Sequence, residues 1–241
     1  MDISSQKTNL FMFPYAGGNK YSYQLYNRKL ADTFNVIPLE APGRGARSKE
    51  PLSSDLEELA LDLFGQIRGL LDCPYFFFGH SMGSWLAYLV TDLIREHKLL
   101  QPEHLFFTGS GNPAHYRPTV IRHKLNKQEF FGHLADLGGL TPEVLKNEAL
   151  LDYFEPILRA DFMAVECYQH KPRKPLTMPI TVCIGDDEPN ITYSMAKAWD
   201  TATLGQFEVL VFKGNHFFIL EHSEEISALL VSNWHKYNSR A

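Results

Sequence analysis

The sequence predicts an α/β fold in which helices flank a mostly parallel central sheet. Short apolar runs typical of buried strands alternate along the chain with stretches whose apolar residues recur every three or four positions, as on one helix face. Turns that contain glycine or proline separate the two kinds of segment. The 241 residues, 44% of them apolar, suffice for one large domain with a substantial core.

The predicted elements follow in a regular order. Strands are predicted at 8–13, 34–39, 75–78, 104–109, 178–185 and 207–212. Helices are predicted up to about residue 32, over 56–71, after Gly83, up to about residue 202, and over 222–237. Ser53 or Ser54 is expected to cap the second helix, with Glu57 in capping-box position relative to Ser54. Because helices follow the strands, right-handed crossovers between parallel strands are expected.

Residues 111 to about 175 interrupt this alternation, because they contain no clear strand pattern. Their apolar spacing predicts three helices, one over 130–137, one from Thr141 and one over 150–162. An insertion at the carboxyl edge of the sheet would cover the residues that follow the strands. We therefore expect a lid or acyl-binding cap inside a single domain of residues 1–241. A helical subdomain without a gating role is the alternative interpretation.

Charge and composition exclude several classes of function. The net charge of −5 gives no basic surface for nucleic acid or for an anionic membrane, and no apolar run is long enough to span a bilayer. The polar residues 1–7 lack the apolar region of a signal peptide, so a cytoplasmic protein is expected. The three cysteines, Cys73, Cys167 and Cys183, have no metal-like spacing and apolar neighbours, which favours buried thiols.

The most informative stretch is an aromatic run, 75–78, that leads into Gly79-His80-Ser81-Met82-Gly83. This Gly-x-Ser-x-Gly pattern between a buried strand and a helix is typical of the nucleophile elbow of the α/β-hydrolase fold. Such an elbow exposes a serine at a sharp turn, where its hydroxyl can attack a carbonyl carbon. An ordinary serine in a glycine-rich turn is the competing interpretation, because the five-residue pattern alone is common.

A serine nucleophile needs a base and a carboxylate that orients the base. In this fold the acid and then the histidine follow the serine along the chain. His216 lies on the loop after the last predicted strand and is therefore the candidate base. The loop after the preceding strand carries Asp186, Asp187 and Glu188, and spacing alone does not choose among them.

Six stretches in the same order along the chain resemble the type II thioesterases of non-ribosomal peptide and polyketide synthesis. They are Phe13-Pro14-Tyr15-Ala16-Gly17-Gly18, Pro42-Gly43-Arg44-Gly45-x-Arg47, Gly79-His80-Ser81-Met82-Gly83, Leu158-Arg159-Ala160-Asp161-Phe162, Gly185-Asp186-x-x-Pro189 followed by Trp199, and Gly214-x-His216-Phe217. The resemblance implies an α/β-hydrolase fold with a helical lid, Ser81 as nucleophile and His216 as base. It also implies an oxyanion hole formed by the backbone N–H of Met82 and one from the Tyr15-Ala16 turn.

This chain departs from the family pattern at one position. The family has a second aspartate where this chain has Glu188, and that aspartate is the triad acid. Glutamate is chemically competent there, so Glu188 is the expected acid and Asp186 the substitute. Arg44, Arg47 and Asp161 also match the family, and they are interpreted as a structural turn and a lid anchor.

By resemblance, the substrate is an acyl thioester on the phosphopantetheine arm of an acyl or peptidyl carrier protein. The expected activity is hydrolysis of that thioester, which would edit stalled or misprimed assembly lines. No cofactor bound by the enzyme itself and no metal are expected. Release of medium-chain fatty acids from an acyl carrier protein is one alternative, and a non-catalytic protein that docks carrier domains is another.

Overall fold

The computed structural model of the protein describes residues 7–140, 142–188 and 190–239. Six strands form one central sheet in the order β2-β1-β3-β4-β5-β6, and every pair of neighbouring strands is parallel. The strands are β1 (Thr8–Phe13), β2 (Phe34–Pro38), β3 (Tyr75–His80), β4 (His104–Thr108), β5 (Ile180–Gly185) and β6 (Phe207–Phe212). All six predicted strands are therefore present, and the predicted α/β class is confirmed.

Nine α-helices accompany the sheet in the described part of the chain. They are α1 (Gln24–Leu30), α2 (Leu56–Ile67), α3 (Met82–Glu96), α4 (Lys127–Asp136), α5 (Pro142–Leu145), α6 (Glu148–Cys167), α7 (Tyr193–Lys197), α8 (Phe218–Glu221) and α9 (Ser223–Asn238). Apolar residues of α2 and α3 share one buried cluster with the sheet, and those of α1 and α9 share another. The helices thus cover both faces.

Alternate side chains of each inner strand enter opposite layers of the core. Phe11 and Phe77 pack in the layer of α2 and α3, whereas Leu10 and Phe76 pack in the layer of α1 and α9. Every residue of β3 is buried, because helices cover both faces of the sheet there. This two-sided burial explains why the strand is a continuous apolar run rather than an alternating one.

The chain leaves β1 for one sheet edge and later returns to the other side of β1 to form β3. Ligands of open α/β sheets bind outside the carboxyl ends of the strands at such a reversal. The turn after β1, residues 14–19, and the start of α3 after β3 meet at this place. A Cβ atom at Gly83 would lie only 2.4 Å from the carbonyl oxygen of Phe13, so glycine is needed for this contact.

Helices α4, α5 and α6 form the insertion that the sequence predicts between β4 and β5. They enclose a small apolar cluster of their own. The buried members of that cluster are Phe130, Phe131, Leu134, Leu137, Leu151 and Leu158. Pro156 lies inside α6 and lacks the N–H of a regular helical hydrogen bond, and the helix continues through it from Glu148 to Cys167.

Several details differ from the sequence-based expectations, and α2, for example, ends at Ile67 rather than at residue 71. Asp55, rather than Ser53 or Ser54, caps α2, because its carboxylate accepts the N–H groups of Glu57 and Glu58. The fifth strand begins at Ile180, two residues later than predicted. The first helix ends at Leu30, before the predicted end near residue 32.

The prediction of buried thiols is correct for Cys183 only. Cys183 is buried in the sheet, whereas Cys73 is half-buried and Cys167 is exposed. Cys167 is the last residue of α6 and Cys73 lies in the turn before β3. Apolar neighbours in the sequence did not identify burial at these two positions, because both lie where an element has ended.

None of the helices in the described ranges is long and apolar enough to cross a bilayer.

Candidate active site

Ser81 occupies a strained corner between β3 and α3. Its backbone has φ 53° and ψ −120°, a conformation that residues with a side chain rarely adopt. The corner leaves no space for side chains beside it, because a Cβ at Gly79 would lie 2.3 Å from the carbonyl oxygen of Gly83. The Ser81 N–H donates to the carbonyl of Thr108 at the end of β4, 2.7 Å away. This geometry is that of a nucleophile elbow.

His216 lies on the loop after β6 and is 7% exposed. Its Nδ1 lies 2.7 Å from Oε2 of Glu188, whose side chain is 1% exposed. A carboxylate can only accept this hydrogen bond, so Nδ1 is the donor, and in the neutral ring the lone pair is then on Nε2. The arrangement holds the imidazole in the tautomer that a general base requires.

The other two carboxylates of the acid loop point elsewhere. Asp186 accepts the N–H of Gly214 at 2.9 Å and pairs with the Lys213 ammonium at 3.3 Å. These contacts, the N–H first, lower the pKa of Asp186, and they tie the loop after β5 to the loop after β6. Asp187 is exposed. The geometry therefore places Glu188, and not Asp186, against the histidine.

Ser81 and His216 both lie against the end of β4. A Cβ at Gly109, the residue after β4 and Thr108, would lie 3.2 Å from Cε1 of His216. In the described part of the chain, no hydrogen bond joins the Ser81 hydroxyl to His216. Such contacts are often long in proteins without substrate and shorten when the substrate binds.

A second histidine, His80, lies beside the first, with the two ring centroids 4.8 Å apart. Thr108 donates its hydroxyl to the Gly79 carbonyl, so its oxygen accepts the proton of His80 Nδ1 at 3.0 Å. The Nε2 atom of His80 is buried and has no hydrogen-bond partner among the described residues. Burial, and then the nearby His216, hold the pKa of His80 well below its usual value, so this ring stays neutral.

Two turns at the reversal of the sheet carry backbone N–H groups that have no protein acceptor in the described part of the chain. The Met82 N–H is the first of α3, where helices leave donors without an internal partner. Within the described ranges, the N–H groups of Met82, Tyr15 and Ala16 donate to no protein acceptor. The Tyr15 carbonyl accepts the N–H of Gly18 at 2.8 Å, so residues 15–18 form a β-turn. These donors are available for an anionic oxygen.

Two glycines of the insertion lie against the loop that carries His216. A Cβ at Gly138 would lie 2.3 Å from the amide nitrogen of Asn215, and one at Gly139 would lie 2.4 Å from the Phe217 ring. Asn215 and Phe217 flank His216 in the sequence, and Phe217 packs against the apolar cluster of α4 and α6. The helices therefore rest directly on the histidine loop.

A buried ion pair joins the insertion to the sheet edge. The guanidinium of Arg44 binds the carboxylate of Asp161 with two hydrogen bonds, one of them 2.7 Å long. Arg44 lies after β2 and Asp161 on α6, and their side chains are 2% and 0% exposed. Asp161 also accepts the Gly17 N–H at 2.7 Å. Sequence reasoning identified Asp161 as an anchor but missed this backbone contact, for which the sequence holds no signal.

No group of three or more histidine, cysteine, aspartate or glutamate side chains in the described ranges is arranged to hold a metal ion.

The parallel sheet with a serine elbow after β3 and a histidine after β6 defines an α/β-hydrolase. The family model of the thioesterase domain matches residues 8–232. The chain therefore belongs to the thioesterase family, whose members hydrolyse thioesters.

Individual relatives come from biosynthetic pathways. The chain is 33% identical to the linear gramicidin dehydrogenase LgrE of Brevibacillus parabrevis, over 95% of this chain and 88% of the relative. It is 34% identical to the structure of the RedJ thioesterase from the prodiginine pathway of Streptomyces coelicolor, with a TM-score of 0.89, 95% of this chain covered and 91% of RedJ.

It is also 29% identical to the structure of the type II thioesterase BorB from the borrelidin cluster, with a TM-score of 0.84 and coverage of 96% and 93%. Medium-chain thioesterases of S-acyl fatty acid synthase are also among its relatives.

Proposed function

We propose that the protein is a serine thioesterase in which Ser81, His216 and Glu188 form the catalytic triad. The observation that carries the proposal is the buried 2.7 Å contact between Glu188 and His216, at the sheet edge where Ser81 occupies its strained corner. The residues belong to three separate loops, after β3, β5 and β6. A structural role alone would not require a nucleophile, a base with a free Nε2 and a buried acid in this order.

In the proposed reaction, Nε2 of His216 takes the proton of Ser81 while Oγ forms a bond to the thioester carbonyl carbon. The tetrahedral intermediate then breaks its C–S bond, and His216 gives the proton to the leaving sulfur. Water attacks the acyl-enzyme, with His216 taking a proton from the water and returning it to Ser81. The products are a free acid and a free thiol, and Glu188 stabilises the imidazolium throughout.

The oxyanion would be held by the N–H of Met82 and by that of Ala16. A Cβ at Gly83 would lie 3.1 Å from the Pro14 carbonyl oxygen, so this carbonyl faces the start of α3. The carbonyl and the N–H of a trans peptide point in opposite directions, and therefore the Tyr15 N–H points away from the elbow. This orientation favours Ala16 over Tyr15 as the second donor.

The proposed substrate is an acyl group on the phosphopantetheine arm of an acyl or peptidyl carrier protein. The apolar cluster of α4 and α6 beside His216 would accept the acyl chain, and these helices would act as a lid within a single domain. The relatives from prodiginine and borrelidin biosynthesis support a role in such an assembly line. We propose that the enzyme removes stalled or misprimed acyl groups, without a cofactor of its own.

The name of one relative denotes a dehydrogenase, and the sequence does not favour that chemistry here. Dinucleotide-binding folds carry Gly-x-Gly-x-x-Gly in the first turn between strand and helix. In this chain the first such turn is Pro14-Tyr15-Ala16-Gly17-Gly18-Asn19, which lacks that pattern. The serine elbow and the Glu188–His216 pair instead favour hydrolysis.

A fluorophosphonate probe tests the nucleophile. The folded protein is expected to be labelled at Ser81, because the probe reacts with activated serines. The Ser81→Ala variant should lose the label, and Ser194→Ala, which removes an exposed serine on α7, should retain it. Equal labelling of wild type and Ser81→Ala would refute the proposed triad.

Mass spectrometry of carrier proteins loaded with different acyl groups tests the substrate. Rapid loss of short or aberrant acyl groups is the expected result for an editing enzyme. A strong preference for medium or long acyl chains would instead support release of fatty acids, the function named for several relatives. Labelling of Ser81 without hydrolysis of any carrier-bound acyl group would leave a serine hydrolase with another substrate.

A further inference from the structure

Helix α6 of the insertion contacts the turn after β1 at one buried point. The Asp161 carboxylate accepts the Gly17 N–H at 2.7 Å, and the same carboxylate is neutralised by Arg44. Leu158, one helical turn earlier, occupies the space in which a Gly17 Cβ would lie 2.6 Å from its Cδ2 atom. The contact thus combines a charge-assisted hydrogen bond with close packing. Asp161 is fully buried, so water does not compete for this bond.

The turn itself does not determine its own conformation. Residues 15–18 are closed by the hydrogen bond from Gly18 to Tyr15, and the third residue, Gly17, has φ +76°. A positive φ at this position is the mark of a type II turn, and a type I turn differs from it by a flip of the central peptide. Glycine accepts either sign of φ, so the Ala16–Gly17 peptide could adopt both orientations.

The Asp161 carboxylate on α6 selects one orientation of the Ala16–Gly17 peptide. In the observed state the Gly17 N–H points at a carboxylate, and a flip would bring the Ala16 carbonyl oxygen toward the same negative charge. The bond from Asp161 therefore holds the central peptide, and it ties the closed turn 15–18, which also carries the Ala16 N–H, to α6.

We propose that Asp161 is a positioning residue for the oxyanion hole, which makes the hole dependent on a residue of the insertion. The inference rests on the proposed role of Ser81 and of the Ala16 N–H. Arg44 binds the same carboxylate and the Pro42 carbonyl, and within the described ranges it donates no hydrogen bond to the turn 15–18. Interactions made only in the transition state affect kcat and leave KM almost unchanged.

Two substitutions that break the same ion pair separate positioning from stability. Asp161→Ala removes both the ion pair and the acceptor of Gly17, whereas Arg44→Met removes the ion pair and leaves the acceptor in place. Asp161→Ala is expected to lower kcat and the rate of fluorophosphonate labelling about 10- to 100-fold at nearly constant KM, which is below the typical loss for removal of a whole donor. Arg44→Met should change both rates by less than about threefold per folded molecule.

Asp92→Asn serves as the matched control, since Asp92 is also a buried carboxylate and pairs with Arg95 and Arg173 away from the turn. It should lower the melting temperature without changing the labelling rate. The Gly17 amide proton gives a readout independent of activity, and its hydrogen exchange should accelerate in Asp161→Ala but not in Arg44→Met. If a variant does not fold, Asp161→Asn or Arg44→Lys is used in its place. The difference in kcat and labelling rate between the Asp161 variant and the Arg44 variant should then be smaller but have the same direction.

Equal losses of kcat in Asp161→Ala and Arg44→Met, or unchanged kcat in both, would overturn the positioning role. Failure of the proposed function is distinguishable, because wild type itself would then show no Ser81 labelling.

Discussion

Glu188 is longer by one methylene than the aspartate that the family resemblance leads one to expect at this position. The acid loop accommodates the longer side chain, because Asp186 ties the loop to Gly214 while Glu188 reaches Nδ1 of His216 at 2.7 Å. Two neighbouring carboxylates thus have different tasks, one in fixing a loop and the other in contacting the histidine. The division depends on their exposure, which is 41% for the Asp186 side chain and 1% for that of Glu188.

The acid can be tested by comparing Glu188→Gln with Asp186→Asn. A glutamine amide can donate to Nδ1, which would favour the tautomer with the proton on Nε2 and remove the base. We expect kcat to fall about 10³–10⁴-fold in Glu188→Gln. Asp186→Asn can still accept the Gly214 N–H, so its kcat should stay within about threefold. Acyl-thioester hydrolysis by both variants checks this, and a collapse confined to Asp186→Asn would contradict the assignment.

At this scale the sequence indicated which residue types were needed but not how they are oriented. Chain order alone pointed to Ser81 and His216, because each stands in a recognisable turn after a strand. The choice among Asp186, Asp187 and Glu188 depends on side-chain direction within one short loop. That direction is set by contacts to the loop after β6, which lies about 28 residues further along the chain.

The residues of α6 before and after Pro156 have different surroundings. The outer half (148–155) pairs with α4 through Lys127, which binds Glu148 and Asp152 at the exposed surface. The anchor half (157–167) buries Ile157, Leu158, Asp161, Ala164 and Glu166.

Glu166 in the anchor half accepts the N–H groups of Arg122 and His123, and Arg122 donates to Asn190 in the acid loop. The anchor half therefore contacts the turn after β1 directly and is connected to the acid loop through Arg122.

Hydrogen exchange should distinguish the two halves of α6. Exposed ion pairs contribute little to stability, whereas burial and buried hydrogen bonds must be broken before the anchor half can open. We expect amides in 148–155 to exchange at least about tenfold faster than those in 157–167, with α3 as a slow internal reference. Mass spectrometry of peptides from each half measures this. Equal rates in both halves would show that α6 opens as one unit.

The three helices of the insertion were predictable from their apolar spacing, but their attachment was not. Periodicity reports which face of a helix is apolar, and it carries no information on what that face contacts. The contact of Gly138 and Gly139 with the histidine loop involves two residues without side chains, so no apolar pattern marks it.

In the whole molecule, two buried histidines make the stability of the fold depend on pH. His104 is the first residue of β4, at the end of the strand away from Ser81 and His216. Its ring is stacked on Phe106, with the ring centroids 4.2 Å apart. Its Nε2 donates to Thr181, which in turn donates to Glu208. Burial first, and then Lys236, lower the pKa of His104 from 6.5 to about 3. Both His104 and His80 are therefore neutral in the folded protein and charged in the acid-unfolded chain.

Stability should fall on acidification. Between pH 6.5 and about 3 the unfolded state binds a proton at His104 that the folded state does not, so the free energy of unfolding rises with pH across this window. His104→Gln removes the titration and can still donate to Thr181. Between about pH 5.5 and 4, the slope of the free energy of unfolding against pH should be smaller in the variant than in wild type, and the difference should be about 1.4 kcal/mol per pH unit. Urea unfolding at several pH values measures the slopes, and identical slopes would contradict the prediction.

The six strands, the parallel sheet and the α/β class followed from the alternation of apolar runs and helical spacing, a pattern that depends mainly on burial, whereas the order of the strands in the sheet was not predicted. The sequence also placed the elbow, because its two glycines are required by backbone contacts shorter than any side chain allows. Helix caps and exposed cysteines were missed, since they depend on the last residue of an element. Such ends are set by competition among neighbouring polar groups rather than by periodicity.

The position of Pro156 in α6 also bears on the construction of chimaeras. An insertion exchanged with that of a relative would be joined naturally before Ile157. A junction placed after Cys167 would also replace Asp161, which binds Gly17 and Arg44. The segment that can be exchanged without breaking these contacts is thus shorter than the insertion itself.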